Sequence, residues 1–283
     1  MLQLKLSDAE WFLIECIKHR EYLNKERIRF LYESLGDANA YKLCSHNRIL
    51  SIAADSLTCA GIELPEKWLS AFSEMEKTIS DYMDELDKAA KLLSFHGIPM
   101  VALKNSGITR GLYPHYGACP MGDIDVLVRR HDFRRAHKLL TDNGYVMKFR
   151  SPLEEDNIQH AEQGGGAEYS VELPSGKHLW FELQWRPVAG RWIRPDQEPD
   201  ATQLVDRSCG IKGSAARLLS PEDNLLQVAL HTAKHSYVRA PGFRLHTDVD
   251  RIVRSSKINW NKFVAQVNQL QVRTPVFISL AFA

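Results

Sequence analysis

The sequence has no apolar run near the ~20 residues that a membrane span requires, and no charge of either sign in excess. Its 36 Lys and Arg against 35 Asp and Glu leave a formal net charge of +1 over 283 residues. So even a balance gives no support to a strongly basic nucleic-acid surface, although a local basic groove fits within a neutral total. Cysteine is sparse and scattered: Cys16, Cys44, Cys59, Cys119 and Cys209 are odd in number and include no CxxC pair. That spacing excludes a disulfide framework or a structural zinc ribbon and points to reduced thiols in a cytosolic protein. The N-terminal stretch MLQLKLSDAEWFLIE carries charges throughout and lacks the basic start and apolar run of a signal peptide. The expectation is a soluble, cytoplasmic protein with no membrane partner. The length suits one large or two ordinary domains with an ample apolar core, and no internal repeat or low-complexity tract interrupts it.

What is present divides into three regions. Residues 7 to 97 read as helices almost without a break, starting at a Ser7 N-cap with Glu10 as its capping-box partner. Trp11, Ile14, Cys16 and Ile17 mark an apolar face, and Gly36 and the Gly61–Pro65 region punctuate the series into three or more helices. The last of these, 65–95, ends at His96-Gly97. The pattern then becomes mixed. Short apolar strands are expected at 99–104, 123–129 and 144–149, with helices at 106–113 and 132–143. The polar stretch 151–166, ending in three glycines, reads as a flexible loop, followed by a hairpin of 167–173 and 178–185. After an irregular section at 186–219, helices resume at Ser220-Pro221-Glu222-Asp223, where Ser caps, Pro takes the first helical position and acids fill the first turn. The expected domains are an N-terminal helical region (1–97), a core (98–190) and a C-terminal helical region (191–283).

The informative segment is Gly122-Asp123-Ile124-Asp125-Val126-Leu127-Val128. Side chains two apart on a strand share a face, with Cα atoms about 6.5 Å apart. Two aspartates so placed converge on one metal or bridge a pair of ions about 3.5–4 Å apart. Without cations they repel at neutral pH. Mg²⁺ suits them, because it takes oxygen ligands, usually one or two carboxylates plus substrate phosphates. A bare DxD is common as a solvated edge strand. Its context is more specific: a strand ending Ala102-Leu103-Lys104 lies upstream, and Phe181-Glu182-Leu183 on an apolar strand lies downstream.

An ordered series of motifs carries a resemblance. Leu103-Lys104, Tyr113-Pro114, the Asp123-Ile124-Asp125 strand, Gly144-Tyr145, Glu182-Leu183-Gln184-Trp185, Ser220-Pro221-Glu222-Asp223 and Leu230-His231 follow one another across residues 99 to 255. This span resembles the nucleotidyltransferase superfamily that includes DNA polymerase β, and within it the uncharacterised bacterial nucleotidyltransferases found beside biosynthetic and capsule genes. The resemblance implies an α+β fold with a polymerase-β-like core, a mixed sheet with flanking helices between N- and C-terminal helical regions. It implies Asp123, Asp125 and Glu182 as catalytic residues holding two Mg²⁺ ions, with Mn²⁺ able to substitute. It also implies Lys104, Ser106, Gly107 and Gly122 as nucleotide-binding residues, with backbone N–H groups of 107–111 against the phosphates. The reaction would move a nucleoside monophosphate from an NTP, by default ATP, to an acceptor hydroxyl or phosphate, releasing pyrophosphate. A small molecule, peptide or protein fits the neutral charge better as acceptor than long nucleic acid.

The chain departs from that pattern at three points. Asn105-Ser106-Gly107 stands where Gly follows the lysine directly, Gln184 stands where relatives carry His, and Ala118–Met121 holds no Arg before the DID strand. A non-catalytic nucleotide-binding or scaffolding protein is the alternative those departures leave.

Other residues compete for roles. Glu172 rivals Glu182 as third carboxylate, but the strand of Glu182 is more apolar. Lys104 reads equally as a triphosphate contact or a solvated strand end. His231 and His235 share a helix face, yet without an HExxH pattern or a Cys partner packing is the better reading than zinc. Lys234, Arg239, Arg244 and Arg251 form either a cleft wall or a solvated face, and Asp248 and Asp250, near His246, stay unassigned. Trp180, Trp185 and Trp192 read as core or cleft wall, and the apolar run 277–283 as a docked helix or a truncated end.

Overall fold

The computed structural model describes residues 6–113, 115–188, 193–236, 243–281 and 283; Pro114, Trp192 and Arg239 lie outside the described residues. Five helices open the chain: α1 (Asp8–Ile17), α2 (Lys25–Leu35), α3 (Asp37–His46), α4 (Leu50–Cys59) and α5 (Glu66–Phe95). The capping box at α1 forms, with the Glu10 N–H donating to Ser7 Oγ at 3.3 Å and the Ser7 N–H to Glu10 Oε2 at 2.7 Å. Gly36 turns the chain between α2 and α3 at φ +73°, a conformation without steric cost only for glycine. Phe12, Ile28, Ile49, Leu57 and Trp68 close the core of this region. The 30-residue α5 then reaches further, for its later residues Ile79, Met83, Leu86 and Leu93 pack in the core beneath the sheet. One rigid helix thus ties the N-terminal helices to the sheet.

The rest of the chain runs β1 (Val101–Ala102), α6 (Lys104–Gly111), β2 (Asp123–Leu127), α7 (Phe133–Asp142), β3 (Val146–Met147), α8 (Ile158–Gly164), β4 (Gly166–Glu172) and β5 (His178–Gln184). It continues through α9 (Ala201–Arg207), β6 (Cys209–Gly210), β7 (Arg217–Leu218), α10 (Pro221–Ser236), α11 (Phe243–Ser255), α12 (Trp260–Gln269) and α13 (Arg273–Ala281). The strands form a mixed seven-stranded sheet in the order β3-β4-β5-β2-β1-β7-β6. β2 pairs parallel with β5 and antiparallel with β1, and β4 with β5 is the expected antiparallel hairpin. Ile124, Val126, Phe181 and Leu183 point from the two central strands into the main core beside α5 and α7.

Four local expectations change, one being the section at 186–219, expected as irregular, which holds α9, β6 and β7. The strand at 99–104 shrinks to two residues because Lys104 takes a left-handed backbone, φ +50°, and opens α6. The strand at 144–149 keeps only Val146–Met147. The expected loop at 151–166 contains α8, capped by Asn157, whose side chain accepts from the Gln159 and His160 N–H groups, and ended by Gly165 at φ +103°. With Ala161 its one buried residue, α8 has no apolar periodicity to announce it.

At the C-terminal side Ser220 caps α10, and its hydroxyl donates to Asp223 Oδ2 at 2.6 Å. The apolar run from 277 belongs to α13, which docks on α10 through buried Val276 and through Ser279 Oγ donating to Ala229 O at 2.7 Å. All five cysteines are unpaired thiols. Among the described residues no helix is long and apolar enough to cross a membrane.

Gly107 holds α6 against the sheet. A Cβ there would stand 2.7 Å from the Ala102 carbonyl oxygen and 3.0 Å from Leu218 Cδ1. Gly107→Ala is therefore expected to cost about 2–3 kcal/mol through overpacking, seen as a fall in Tm of several degrees; an unchanged Tm would contradict this packing.

Candidate active site

Alternation along β2 puts Asp123 and Asp125 on one face, and the parallel register sets Asp125 directly beside Glu182 on β5. Carboxylate oxygens of Asp123, Asp125 and Glu182 lie within 4.8 Å of one another, the one such acidic or thiol/imidazole cluster among the described residues. Glu172 pairs with His178 at the far end of the hairpin and is exposed. Its distance from Glu182 along the sheet is roughly 13 Å. Glu172→Gln is expected to leave divalent-metal binding and turnover within about twofold of wild type, since charge at that range is largely screened; a large loss would move the third carboxylate.

The cluster is matched by cations. Lys104 Nζ lies 2.6 Å from Asp125 Oδ1 and 3.8 Å from Glu182 Oε2. It is no solvated strand end: its side chain is 15 % exposed. Arg150, from the loop between β3 and α8, reaches Asp123 Oδ2 at 2.6 Å, Glu168 Oε2 at 3.0 Å and Glu182 Oε2 at 3.8 Å. Glu168 is the residue opposite Glu182 in the hairpin. Gln184 Nε2 donates to Asp125 Oδ1 at 3.0 Å, and the Asp125 N–H donates to Ser106 Oγ at 3.0 Å.

These contacts set the protonation. Burial pushes the Asp125 carboxyl well above the usual range; Lys104 opposes that push, and Asp123 and Glu182 add to it. Burial acts on Glu182 in the same sense, yet Lys104, the hydrogen bond from Asp125 and Arg150 hold it down to about 2. The pair thus divides, with the proton favoured on Asp125 over Glu182. Burial works against the Lys104 ammonium, but Asp125 and Glu182 raise its pKa above the ordinary value. Lys104 and Arg150 face four carboxylates here (Asp123, Asp125, Glu168, Glu182), and an all-oxygen donor set of this charge fits hard divalent ions such as Mg²⁺.

The cluster opens into a cleft of about 750 Å³. Lys104, Asn105 and Gly122 line it beside the acids, and His231, Lys234 and His235 of α10 with Arg244 of α11 form the facing wall. The His231 and His235 rings meet edge to face, 4.4 Å between centroids. Burial, then Lys104, lowers the His231 pKa far enough to keep that imidazole neutral.

Several sequence-based expectations are relocated. Ser106 and Gly107 are buried and do not line the cleft. Residues 107–111 lie inside α6, and the Gly107 N–H donates to Leu103 O at 3.2 Å, so their amides do not face a ligand. The helical amides without an intrahelical acceptor are those of 104–106. Arg251 is buried: it hydrogen-bonds Asp248 at 3.4 Å and Ala118 O, and lies 4.6 Å over the Tyr113 ring. Asp250 pairs with Arg254 at 2.6 Å. Trp185 donates to Glu162 O at 2.9 Å beside the core, and Trp180 carries Arg150 at 5.7 Å over its ring.

The departures from the motif pattern each have a contact. Asn105 Nδ2 donates to Asp248 Oδ2 at 2.8 Å, fastening the turn to α11. Gln184 holds Asp125, and Arg150 brings a guanidinium to the acids from a later loop. Sequence reasoning missed Arg150 and Glu168. Counting back from the hairpin turn would have paired 168 with 182; nothing in the polar loop marks Arg150.

Residues 34–283 match the family model described as "Uncharacterised nucleotidyltransferase". Among solved structures, the chain is similar to an antigenic nucleotidyltransferase-like protein from Paracoccidioides brasiliensis, with 14 % identity and a TM-score of 0.38 over 73 % of this chain and 91 % of that one. No curated protein matches. The family model spans most of the sequence, from α2 to the last residue, and the chain belongs to the uncharacterised nucleotidyltransferases.

Proposed function

We propose that this protein transfers a nucleoside monophosphate from an NTP, ATP by default, to an acceptor hydroxyl or phosphate and releases pyrophosphate, on a polymerase-β-like core. The observation that carries the reading is the convergence of Asp123, Asp125 and Glu182 from two adjacent parallel strands at the floor of a cleft. Two Mg²⁺ ions held by these acids would neutralise the triphosphate and lower the pKa of the acceptor hydroxyl. The protein's own groups do the positioning. Gln184 and the Ser106 hydroxyl fix Asp125 from side chain and backbone. Lys104 and Arg150, which neutralise the acids, are within reach to turn toward phosphate oxygens. The amides at 104–106 and the α6 dipole favour negative charge at the same edge. Neutral His231 on the facing wall can accept or donate a hydrogen bond without adding charge.

Incubating the full chain with each of the four NTPs, Mg²⁺ or Mn²⁺ and a cell extract as acceptor source tests the reading. Metal-dependent pyrophosphate release with label transferred to an acceptor is expected. Absence of both with every NTP and either metal would overturn the transferase reading.

A further inference from the structure

Among the described residues three that are not glycine adopt a left-handed backbone: Arg48, Lys104 and Gln271. Two of them, Arg48 and Lys104, line the cleft. Lys104 has its carboxylates. Arg48 sits at the corner between α3 and α4, at φ +56°, where Arg48 N–H donates to Ser45 O and Ile49 N–H to Cys44 O, each at 3.0 Å. This is the helix-ending position that glycine ordinarily fills, because a side chain there costs on the order of 1 kcal/mol. A long cation held at such a position, where the local rule favours glycine, marks a functional constraint.

The Arg48 side chain lies where two cavities meet. Besides the catalytic cleft it lines a second groove of about 390 Å³, together with Ser45, Ser51, Glu74, Met75, Thr78 and Met121. Gly122 and Arg244 also line both cavities. The two arginines therefore approach one junction from opposite sides, Arg48 from the N-terminal helices and Arg244 from α11, and Gly122 leads from that junction to Asp123. Among the described residues neither guanidinium makes a side-chain hydrogen bond or an ion pair, whereas Lys104 and Arg150 are engaged with the acids. The Arg244 charge acts on Asp248, which Asn105 and Arg251 already engage, and both guanidiniums keep donors for an anion at this junction.

We infer that the junction between the cleft and the second groove is the acceptor subsite, where Arg48 and Arg244 bind a phosphate group of a phosphorylated small-molecule acceptor whose body lies in the groove. This rests on the transferase reading above. Two guanidinium groups match a doubly charged phosphate; a carboxylate needs only one. The groove's size and mixed lining suit a metabolite and not a macromolecular chain. The donor's phosphates belong beside the acids, where the metal ligands and the amides of 104–106 lie.

The test uses the full chain and inorganic phosphate as probe, titrated calorimetrically with and without saturating Mg²⁺ and α,β-methylene-ATP. Phosphate is expected to bind the nucleotide-saturated protein, with acetate at least about tenfold weaker. Arg48→Gly and Arg244→Gln should each weaken phosphate about tenfold and leave nucleotide affinity unchanged. Arg48→Gly suits the left-handed backbone, so its Tm should hold or rise while phosphate binding falls; that separates loss of the ligand contact from loss of the fold. Competition between phosphate and the nucleotide analogue would assign the arginines to the donor and overturn the acceptor subsite. Phosphate affinity unchanged in both variants, or no phosphate binding to wild type, would overturn it equally. If the analogue fails to bind yet phosphate binds and both variants lose it, the transferase reading falls and the anion site stands.

Discussion

Asp123→Asn, Asp125→Asn and Glu182→Gln should each lower nucleotidyl transfer by about a thousandfold or more, because each removes a charged ligand from a group of oxygens that acts as one unit. The substitutions preserve size and hydrogen-bonding reach, so the fold should survive. Asp125→Asn is the gentlest of the three, since burial already favours a neutral group at that position. Combining any two should cost little beyond either alone, as residues serving one transition state are grossly non-additive. Transfer rates under saturating NTP and metal are the measurement. Full activity in both aspartate variants would end the metal-dependent account, and full activity in Glu182→Gln alone would reopen the choice of third carboxylate.

The second large effect concerns Lys104. Its ammonium occupies the Asp125–Glu182 edge of the acid cluster, with Nζ 2.6 Å and 3.8 Å from the two carboxylates. An incoming divalent ion must displace it from the Asp125 and Glu182 oxygens. Lys104→Met should therefore destabilise the metal-free protein by about 3 kcal/mol, the usual effect of leaving one partner of a buried pair behind. Added Mg²⁺ should restore more stability to the variant than to wild type, because the competing cation is gone. The upward push of burial on the Asp125 carboxyl adds a pH dependence of definite sign. A carboxyl whose folded pKa is raised favours the folded state below its unfolded value and loses that contribution as pH rises through the folded value. Metal binds the ionised form, so apparent Mg²⁺ affinity in wild type should rise with pH through the same window, with proton release. Thermal melts of both proteins across a Mg²⁺ and pH series read all of this. Equal Mg²⁺ shifts in the two proteins would show that Lys104 does not compete for the site.

How far these features were legible in the sequence depends on their range. The α1 capping box, the start of α10 at Ser220 and the β4–β5 hairpin are local signals, and each forms where the residues place it. The period of two in Asp123-Ile124-Asp125-Val126 correctly separates acids from core. The parallel pairing of β2 with β5 joins residues more than fifty positions apart, and no local pattern encodes it; the apolar strand around Glu182 and the family resemblance together suggested that residue. Lys104 was legible as the end of a strand but not as a residue in a left-handed turn, because backbone conformation at a junction is decided by the packing of α6 on Ala102. Arg150 and Arg48 could not be singled out, for each reaches the cleft from a loop or corner whose position depends on tertiary contacts.

On the proposed function, Asp123, Asp125 and Glu182 form a divalent-metal site that fills together with a nucleotide. Titrating Mn²⁺ into the full chain with and without α,β-methylene-ATP, followed by electron paramagnetic resonance, tests it most directly. Two bound Mn²⁺ per chain are expected in the presence of the analogue, close enough to broaden each other's signal, and their loss is expected in Asp125→Asn. Mn²⁺ remaining free at millimolar nucleotide, or binding undiminished in Asp125→Asn, would contradict such a site.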